Sequence, residues 1–401
     1  MTESTRPPLH GVRIIAISQF GAGPFATMML ADLGAEVIKI EDPRSGGDVA
    51  RYVPPVASET DSLYFQSFNR GKKSMTLDLR SEAGRKVFDQ LVANSDAVFN
   101  NLRGDLSSRL GLTYDTLKSL NPAVVTCSLS GFGRTGPRST EPGYDALVQA
   151  YAGYMALTGG PSEPPTRSGV SLIDFAGGLA AALGLVAALF EARQTGVGRD
   201  VDVALLDTGI SMLTYLAAWQ LNTDWRPERV DNSAHQTIVP AQNFRTADGW
   251  VSVFCAKEVF WQRLAARLDL GHLADDPKFR TFGDRYRNRD ELLGMLDSAF
   301  SKRTTAEWLE KLQGDIPVAP VNDLGQALAD SQVNERGMVV SADHPAMGEI
   351  RLAGSPFKTP GVLADVKPAP GLGEHTDQVL SQVLGYSPEE ITVLRDSGAL
   401  G

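Results

Sequence analysis

Residues 12–18 (VRIIAIS) form a short apolar run that ends in the turn Gly21-Ala22-Gly23-Pro24, and a second apolar run, AEVIKIE at 35–41, follows one helix length later. This spacing constrains the fold more than any other feature of the chain. Two buried strands joined by a helix pair as parallel neighbours, with the helix crossing one face of their sheet. Pro24 suits a first helical position, where its missing N–H costs nothing, and Gly34 suits the residue beyond the last turn. The rhythm continues with a helical pattern at 82–94 and short strands at 97–100 and 123–128. A repeated β-α-β-α-β pattern predicts an α/β fold with a parallel sheet and helices on its faces.

An Ala/Leu-rich helix is predicted over 175–194, then a strand over 199–205 and a helix over 207–220. The texture changes at 222–240, which is polar and irregular. A strand after Asp248-Gly249 and helical patterns at 258–268, 289–300 and 305–312 suggest a smaller α+β unit. The expected organisation is a large Rossmann-like domain over 1–205, a linker at 206–225, a small domain over 226–320, and a return to the large domain over 321–401.

Composition excludes several function classes. The 401 residues carry a formal net charge of -10, which argues against general affinity for nucleic acid or anionic membrane but leaves room for a local basic pocket. Two cysteines, Cys127 and Cys255, are too few for a disulfide framework and fit a reducing compartment. The first residues lack the apolar core of a signal peptide. The longest uncharged apolar stretch, 175–190, is shorter than a membrane-spanning helix needs. A cytoplasmic protein without membrane or nucleic-acid partners is expected. The five histidines form no H-E-x-x-H motif and no cysteine cluster has metal-ligand spacing, so no metal site is expected.

Four segments could carry chemistry. Gly21-Ala22-Gly23-Pro24-Phe25-Ala26 fits G-x-G-x-x-[GA] between a strand and a helix, with Glu41 at the end of the next strand. That outlines a dinucleotide fingerprint, in which backbone N–H groups meet a pyrophosphate at a helix N-terminus. It also fits a tight turn with no ligand. Asn69-Arg70-Gly71-Lys72-Lys73-Ser74 is either an adenosine-phosphate site or a solvated basic turn. Ser128 to Pro137 is a Gly-rich loop followed by Gly143-Tyr144-Asp145. Asp174 stands at the start of the long Ala-rich helix, followed by Gly177 and Gly178. An aspartate there can be an N-cap. Two glycines in a first helical turn instead suit a substrate lying against free N–H groups that stabilise an oxyanion.

Together these segments resemble the family III CoA-transferases, which include the 2-methylacyl-CoA racemases. The resemblance runs from Leu9 to the C-terminus through GAGPFATMMLADLGAEVIKIE, SLYFQSFNRGKKSMTLDL, SGFGRTGP with GYD, DFAGG, IPVAPVND, VNERGMVV and PAPGLGEHT. It implies an obligate homodimer in which two ring-like chains interlock. It implies coenzyme A or acyl-CoA as a substrate and no permanently bound cofactor. CoA phosphates would meet Arg70, Lys72 and Lys73, with further contacts at Ala22, Asn101 and Arg109. One family arginine falls on Asp42, and Arg44 is its nearest replacement. The family nucleophile falls on Asp174, whose carboxylate would form an acyl anhydride and then an aspartyl-CoA thioester, with Gly177 and Gly178 donating to the oxyanions. A racemase of this family resembles an acid/base pair using histidine in a G-H-D segment, where this chain has Gly143-Tyr144-Asp145. A phenol with an ordinary pKa near ~10 replaces imidazole poorly. Transfer is therefore expected over racemisation, over nicotinamide-dependent oxidoreduction and over non-catalytic CoA binding.

Overall fold

A computed structural model describes residues 6–58, 60–362 and 366–401. The chain divides into two compact units. One comprises residues up to 152, 169–214 and 331–401, and the other comprises 153–168 and 215–330. The first unit thus extends to 214 rather than 205, and the second to 330 rather than 320. Residues 153–168 pack with the second unit although both flanking segments belong to the first, an excursion that strand and helix patterns do not mark.

The first unit is built on six parallel strands: β1 (Arg13–Ile17), β2 (Glu36–Glu41), β3 (Lys73–Thr76), β4 (Ala97–Asn100), β5 (Val125–Ser130) and β6 (Asp200–Ala204). Their spatial order is 3-2-1-4-5-6. Ile15 lies between Ile38 and Val98 in register. Such central strands read as unbroken apolar runs because helices cover both faces. The helices that matter here are α1 (Ala22–Asp32), α2 (Leu63–Asn69), α3 (Glu82–Ala93), α4 (Asp145–Tyr151), α5 (Leu172–Thr195) and α6 (Leu205–Met212). On one side Ile15, Ile38 and Val98 pack with Phe88 and Leu91 of α3 and with Val379 and Leu380, so the C-terminal segment returns to this unit.

Helix α1 begins two residues earlier than Pro24 implied, with Gly21 as its cap, and Pro24 is its third residue. Helix α5 is also longer than its uncharged stretch. At 24 residues it is long and apolar enough, by length and composition, to cross a bilayer, yet half of its apolar window is buried within the protein. It lies against β5, β6 and α1 as a core helix does.

In the second unit an antiparallel sheet of β7 (Ala241–Arg245), β8 (Trp250–Phe254) and β9 (Val318–Pro320) is ordered 9-8-7. Its core gathers Phe244, Val251, Trp261, Leu264, Phe300 and Trp308. Arg285 is fully buried beside it, donating to the Val239 and Phe279 carbonyls and facing the Trp261 ring.

Candidate active site

In the order 3-2-1-4-5-6 the chain leaves β1 and β4 toward opposite edges of the sheet, so a crevice opens beyond their carboxyl ends. A cavity of about 530 Å³ lies there, lined by residues that include Gln19, Gly21, Ala22, Asn101, Arg103 and Asp174. Asn101, just past β4, ties the two strand ends together. Its Oδ1 accepts from the Gln19 N–H at 2.9 Å and its Nδ2 donates to the Gln19 carbonyl at 2.9 Å. Gly23 permits this: a Cβ there would stand 2.6 Å from the Asn101 side chain. Ala22 and Asn101 therefore share the cavity with Asp174.

Asp174 is buried and sits third in α5, not at its cap. Asp145 does the capping. Its Oδ1 accepts from the N–H of Ile173 at 2.9 Å and of Asp174 at 3.3 Å, while its Oδ2 accepts from the Gln149 amide at 2.7 Å. A capping carboxylate satisfies helix N–H groups and favours the helix dipole. Because Asp145 fills that role, the Asp174 carboxylate has no hydrogen-bond donor among the described residues. Burial, and next the neighbouring Asp145 charge, push its pKa up to about 7. A carboxylate divided between its two protonation states near neutrality is a marker of a functional site.

The space beside this carboxylate is kept open by Gly21. A Cβ on Gly21 would stand 3.4 Å from Asp174 Oδ2 and 3.5 Å from the Tyr64 hydroxyl. Burial, then the charges of Asp174 and Asp48, raise the Tyr64 pKa to about 12, so its phenol stays protonated. The Tyr64 ring packs against Phe20 and Phe68.

Gly177 and Gly178 do not supply free donors. They are the sixth and seventh residues of α5, where the N–H groups belong to the helical ladder. Their purpose is close packing. A Cβ on Gly177 would stand 2.6 Å from Leu205, and one on Gly178 would stand 2.9 Å from the Ala22 carbonyl and 3.2 Å from the Phe25 ring. They bring α5 down onto α1 and α6, which sets the Asp174 carboxylate over the end of β1.

The basic run is also placed differently from expectation. Arg70 is buried in a two-pronged pair with Asp32, with bonds of 3.0 and 2.7 Å, and donates to the Ala353 carbonyl. Lys72 is buried and donates to the Pro24 carbonyl and Asn69 Oδ1. Burial, and next the Lys39 charge, hold its pKa well below the usual lysine range. Lys73 pairs with Glu36 at 2.6 Å. Arg70 and Lys72 are therefore internal braces, not a phosphate-facing cluster. Glu41, the acid of the apparent dinucleotide fingerprint, is likewise consumed. Arg51 holds both of its oxygens, Ser74 donates to it, and despite burial these contacts together with the Lys39 and Arg51 charges bring its pKa down to about 2. A ribose hydroxyl would find no free carboxylate there.

Exposed cations stand elsewhere. Asp42, Asp78 and Arg80 line a second pocket of about 280 Å³ at the ends of β2 and β3, where Arg80 pairs with Asp42 and the exposed Arg44 pairs with Asp78. Arg109 is exposed and pairs with Asp105, which also binds Arg103 of the main cavity. Sequence reasoning missed Tyr64, Arg80 and Arg103. Tyr64 lies within a segment that attracts attention for its cations, and one tyrosine in a short helix carries no signal of its own.

The sequence model of CoA-transferase family III matches residues 9–376. A succinyl-CoA:glutarate CoA-transferase of Mus musculus is 38% identical over 98% of this chain and 90% of its own length. A succinate–glutarate CoA-transferase of Agrobacterium fabrum is 34% identical over 94% and 96%. Among solved structures, a CAIB/BAIF family protein of Brucella suis is similar with a TM-score of 0.79 at 33% identity, covering 94% of this chain and 100% of that one. A Mycobacterium tuberculosis protein solved as an aspartate-to-alanine mutant has a TM-score of 0.83 at 30% identity, covering 94% and 99%. With an unpaired carboxylate at the switch point of a parallel sheet and these matches over nearly its whole length, the chain belongs to CoA-transferase family III.

Proposed function

We propose that this enzyme moves CoA from an acyl-CoA donor to a dicarboxylic acid acceptor through covalent intermediates on Asp174, with a succinyl donor and a glutarate-like acceptor as the substrate class. The observation that carries the reading is the Asp174 carboxylate itself, buried in a cavity and without a donor among the described residues. A paired carboxylate would be stabilised and unreactive. An unpaired one in a desolvated site is a competent nucleophile once ionised.

The carboxylate attacks the thioester carbonyl, the C–S bond breaks, and a mixed anhydride and CoA thiolate result. The thiolate then attacks the aspartyl carbonyl, the anhydride C–O bond breaks, and aspartyl-CoA and the first acid result. The incoming carboxylate reverses both steps. Because anhydride and thioester would both be lost to water, a cavity walled by side chains such as Leu205, Leu129 and Phe20 serves the chemistry. The dicarboxylate is suggested by the named activities of the mouse and Agrobacterium relatives. Arg103, on the cavity wall, is suited to a distal carboxylate. The pantetheine arm would pass Ala22 and Asn101, and the adenosine phosphates would meet Arg44 and Arg80 at the second pocket. Among the described residues no histidine lines the main cavity, and Tyr144 stands there instead, which favours transfer over racemisation.

We also assign a homodimer in the cytoplasm. Leu179, Leu183 and Phe190 expose an apolar face of α5, Leu183 to 72%, and a dimer would cover it. The free, buried Cys127 and Cys255 suit a reducing compartment.

The test is incubation with succinyl-CoA and labelled glutarate. The label should appear as its CoA ester, and hydroxylamine in the absence of acceptor should leave a hydroxamate on Asp174. Acceptor-independent exchange of the α-hydrogen of a 2-methylacyl-CoA in heavy water, with no labelled ester, would overturn the transferase reading.

A further inference from the structure

Tyr64 is unused by the mechanism above, yet its hydroxyl lies close to the nucleophile. Its hydroxyl and Asp174 Oδ2 flank the same bare face of Gly21. Among the described residues that hydroxyl has no hydrogen-bond partner, although a half-buried phenol ordinarily finds one. Its ring is held between Phe20, at 5.2 Å between centroids, and Phe68, at 5.1 Å. Phe68 in turn faces Phe175, the residue after Asp174. The tyrosine is thus fixed by its aromatic body while its unpartnered hydroxyl stands beside the open face of Gly21, a residue of the cavity wall.

Resting on the Asp174 reading, we propose that Tyr64 is a catalytic hydrogen-bond donor to Asp174 Oδ2, stabilising the negative charge that develops on this oxygen when the CoA thiolate attacks the aspartyl anhydride. In that step the sulfur forms a bond to Cγ of Asp174 and the carbonyl electron pair moves onto Oδ2. It returns as the Cγ–O bond to the departing acid breaks. No proton is transferred; the phenol keeps its hydrogen throughout, consistent with a pKa raised to about 12. The donor strengthens its bond only when charge appears, the condition for accelerating a step rather than merely binding the ground state. Gly21 has a defined purpose here. A side chain at 21 would stand between the donor and the oxygen it serves.

The experiment compares wild type, Asp174→Ala, Tyr64→Phe and Gly21→Ala with succinyl-CoA and glutarate. Tyr64→Phe keeps the ring packing and removes only the hydroxyl. It should lower kcat about 100-fold, the effect of one lost oxyanion donor, with KM and thermal midpoint little changed. In single turnovers with succinyl-CoA and no acceptor, quenched samples should show the acyl anhydride of Asp174 accumulating transiently over aspartyl-CoA, because thiolate attack on the anhydride is then the slowed step. Fluorotyrosines of graded acidity at position 64 should change the rate in proportion to donor strength. Gly21→Ala should fold normally, since its added Cβ meets only ordinary contacts, and should also lose kcat. A Tyr64→Phe enzyme within threefold of wild type, or one whose anhydride does not accumulate, would sink the role of Tyr64 while leaving Asp174 intact. Unchanged activity in Asp174→Ala would instead sink the underlying mechanism.

Discussion

Two polar regions at the carboxyl ends of the same sheet treat their charges in opposite ways. Beyond β2 and β3, Glu41 is gripped by Arg51 and Asp48 by Lys39 at 2.8 Å. Each of these groups is almost wholly buried, and each is matched. Beyond β1 and β4, Asp174 is buried with another carboxylate, Asp145, as its charged neighbour and with no donor of its own among the described residues. A buried charge left unpaired is costly. The first region therefore holds loops in place, and the second stores reactivity. The contrast also locates the chemistry better than the density of charge does, because Arg70, Lys72 and Lys73 of the most basic run in the early chain already have partners within the protein.

The largest effect expected separates the two by function. Asp174→Asn should reduce transfer by on the order of 10⁶-fold, the scale seen when a covalent nucleophile is removed, while circular dichroism and CoA binding stay close to wild type. Loss of the fold in this variant would mean that Asp174 is a structural member like Glu41. The converse variant, Arg51→Met, should leave chemistry per folded molecule intact but destabilise the protein by about 3–5 kcal/mol, because it strands Glu41 as an unpaired buried charge. Urea titration measures this. A loss below 1 kcal/mol would show that the network is not a brace.

The same contrast explains what was legible in the sequence. The strand–turn–helix–strand run at 12–41 announced a parallel sheet because periodicity and turn residues are local properties. The order 3-2-1-4-5-6 was not announced, since it depends on which strand pairs with which at a distance. Asp174 stood out through the glycines that follow it, yet their reason was wrong: Leu205 and the Ala22 carbonyl, not an oxyanion, demand them. Arg70 and Lys72 misled for a similar cause. Their partners, Asp32 and the Pro24 carbonyl, lie about two turns apart on α1 and far from 70–72 in sequence. A lysine whose N–H donors are already spoken for looks the same in one dimension as one awaiting a phosphate.

Opposite pKa shifts make the comparison measurable by pH. Asp174 has its folded pKa raised, to about 7 against 3.8. The folded state favours its protonated form, so this contribution to stability is fully present below the unfolded value and is lost as pH rises through 7. Asp174→Asn should thus match wild type near pH 4 and exceed it above pH 8, by on the order of 2 kcal/mol after allowing for water in the cavity. Glu41 has its folded pKa lowered, to about 2 against 4.5. Its contribution is present above the unfolded value and fades as pH falls toward 2. Glu41→Gln should therefore be less stable than wild type at pH 7, with the difference narrowing in acid. Thermal melts over this range test both signs at once. Parallel curves for the two variants would erase the distinction between the regions.

The smallest effect concerns the cap that frees the nucleophile. Asp145 acts on Asp174 in two separable ways, by accepting from the first N–H groups of α5 and by placing a negative charge nearby. Asparagine keeps an acceptor oxygen for those amides and removes the charge. If the transfer rate follows the ionised fraction of Asp174, its pH profile should rise through an inflection near 7 in wild type. In Asp145→Asn the inflection should move to lower pH, because a like charge that disfavoured ionisation is gone. It should nevertheless stay above the ordinary aspartate value, because burial is the larger cause and is untouched. The plateau rate at high pH should change less than the inflection, since the helix start remains capped and the carboxylate stays in place. A plateau that collapses with an unmoved inflection would mean that Asp145 matters through geometry alone, and that burial by itself sets the poise of Asp174.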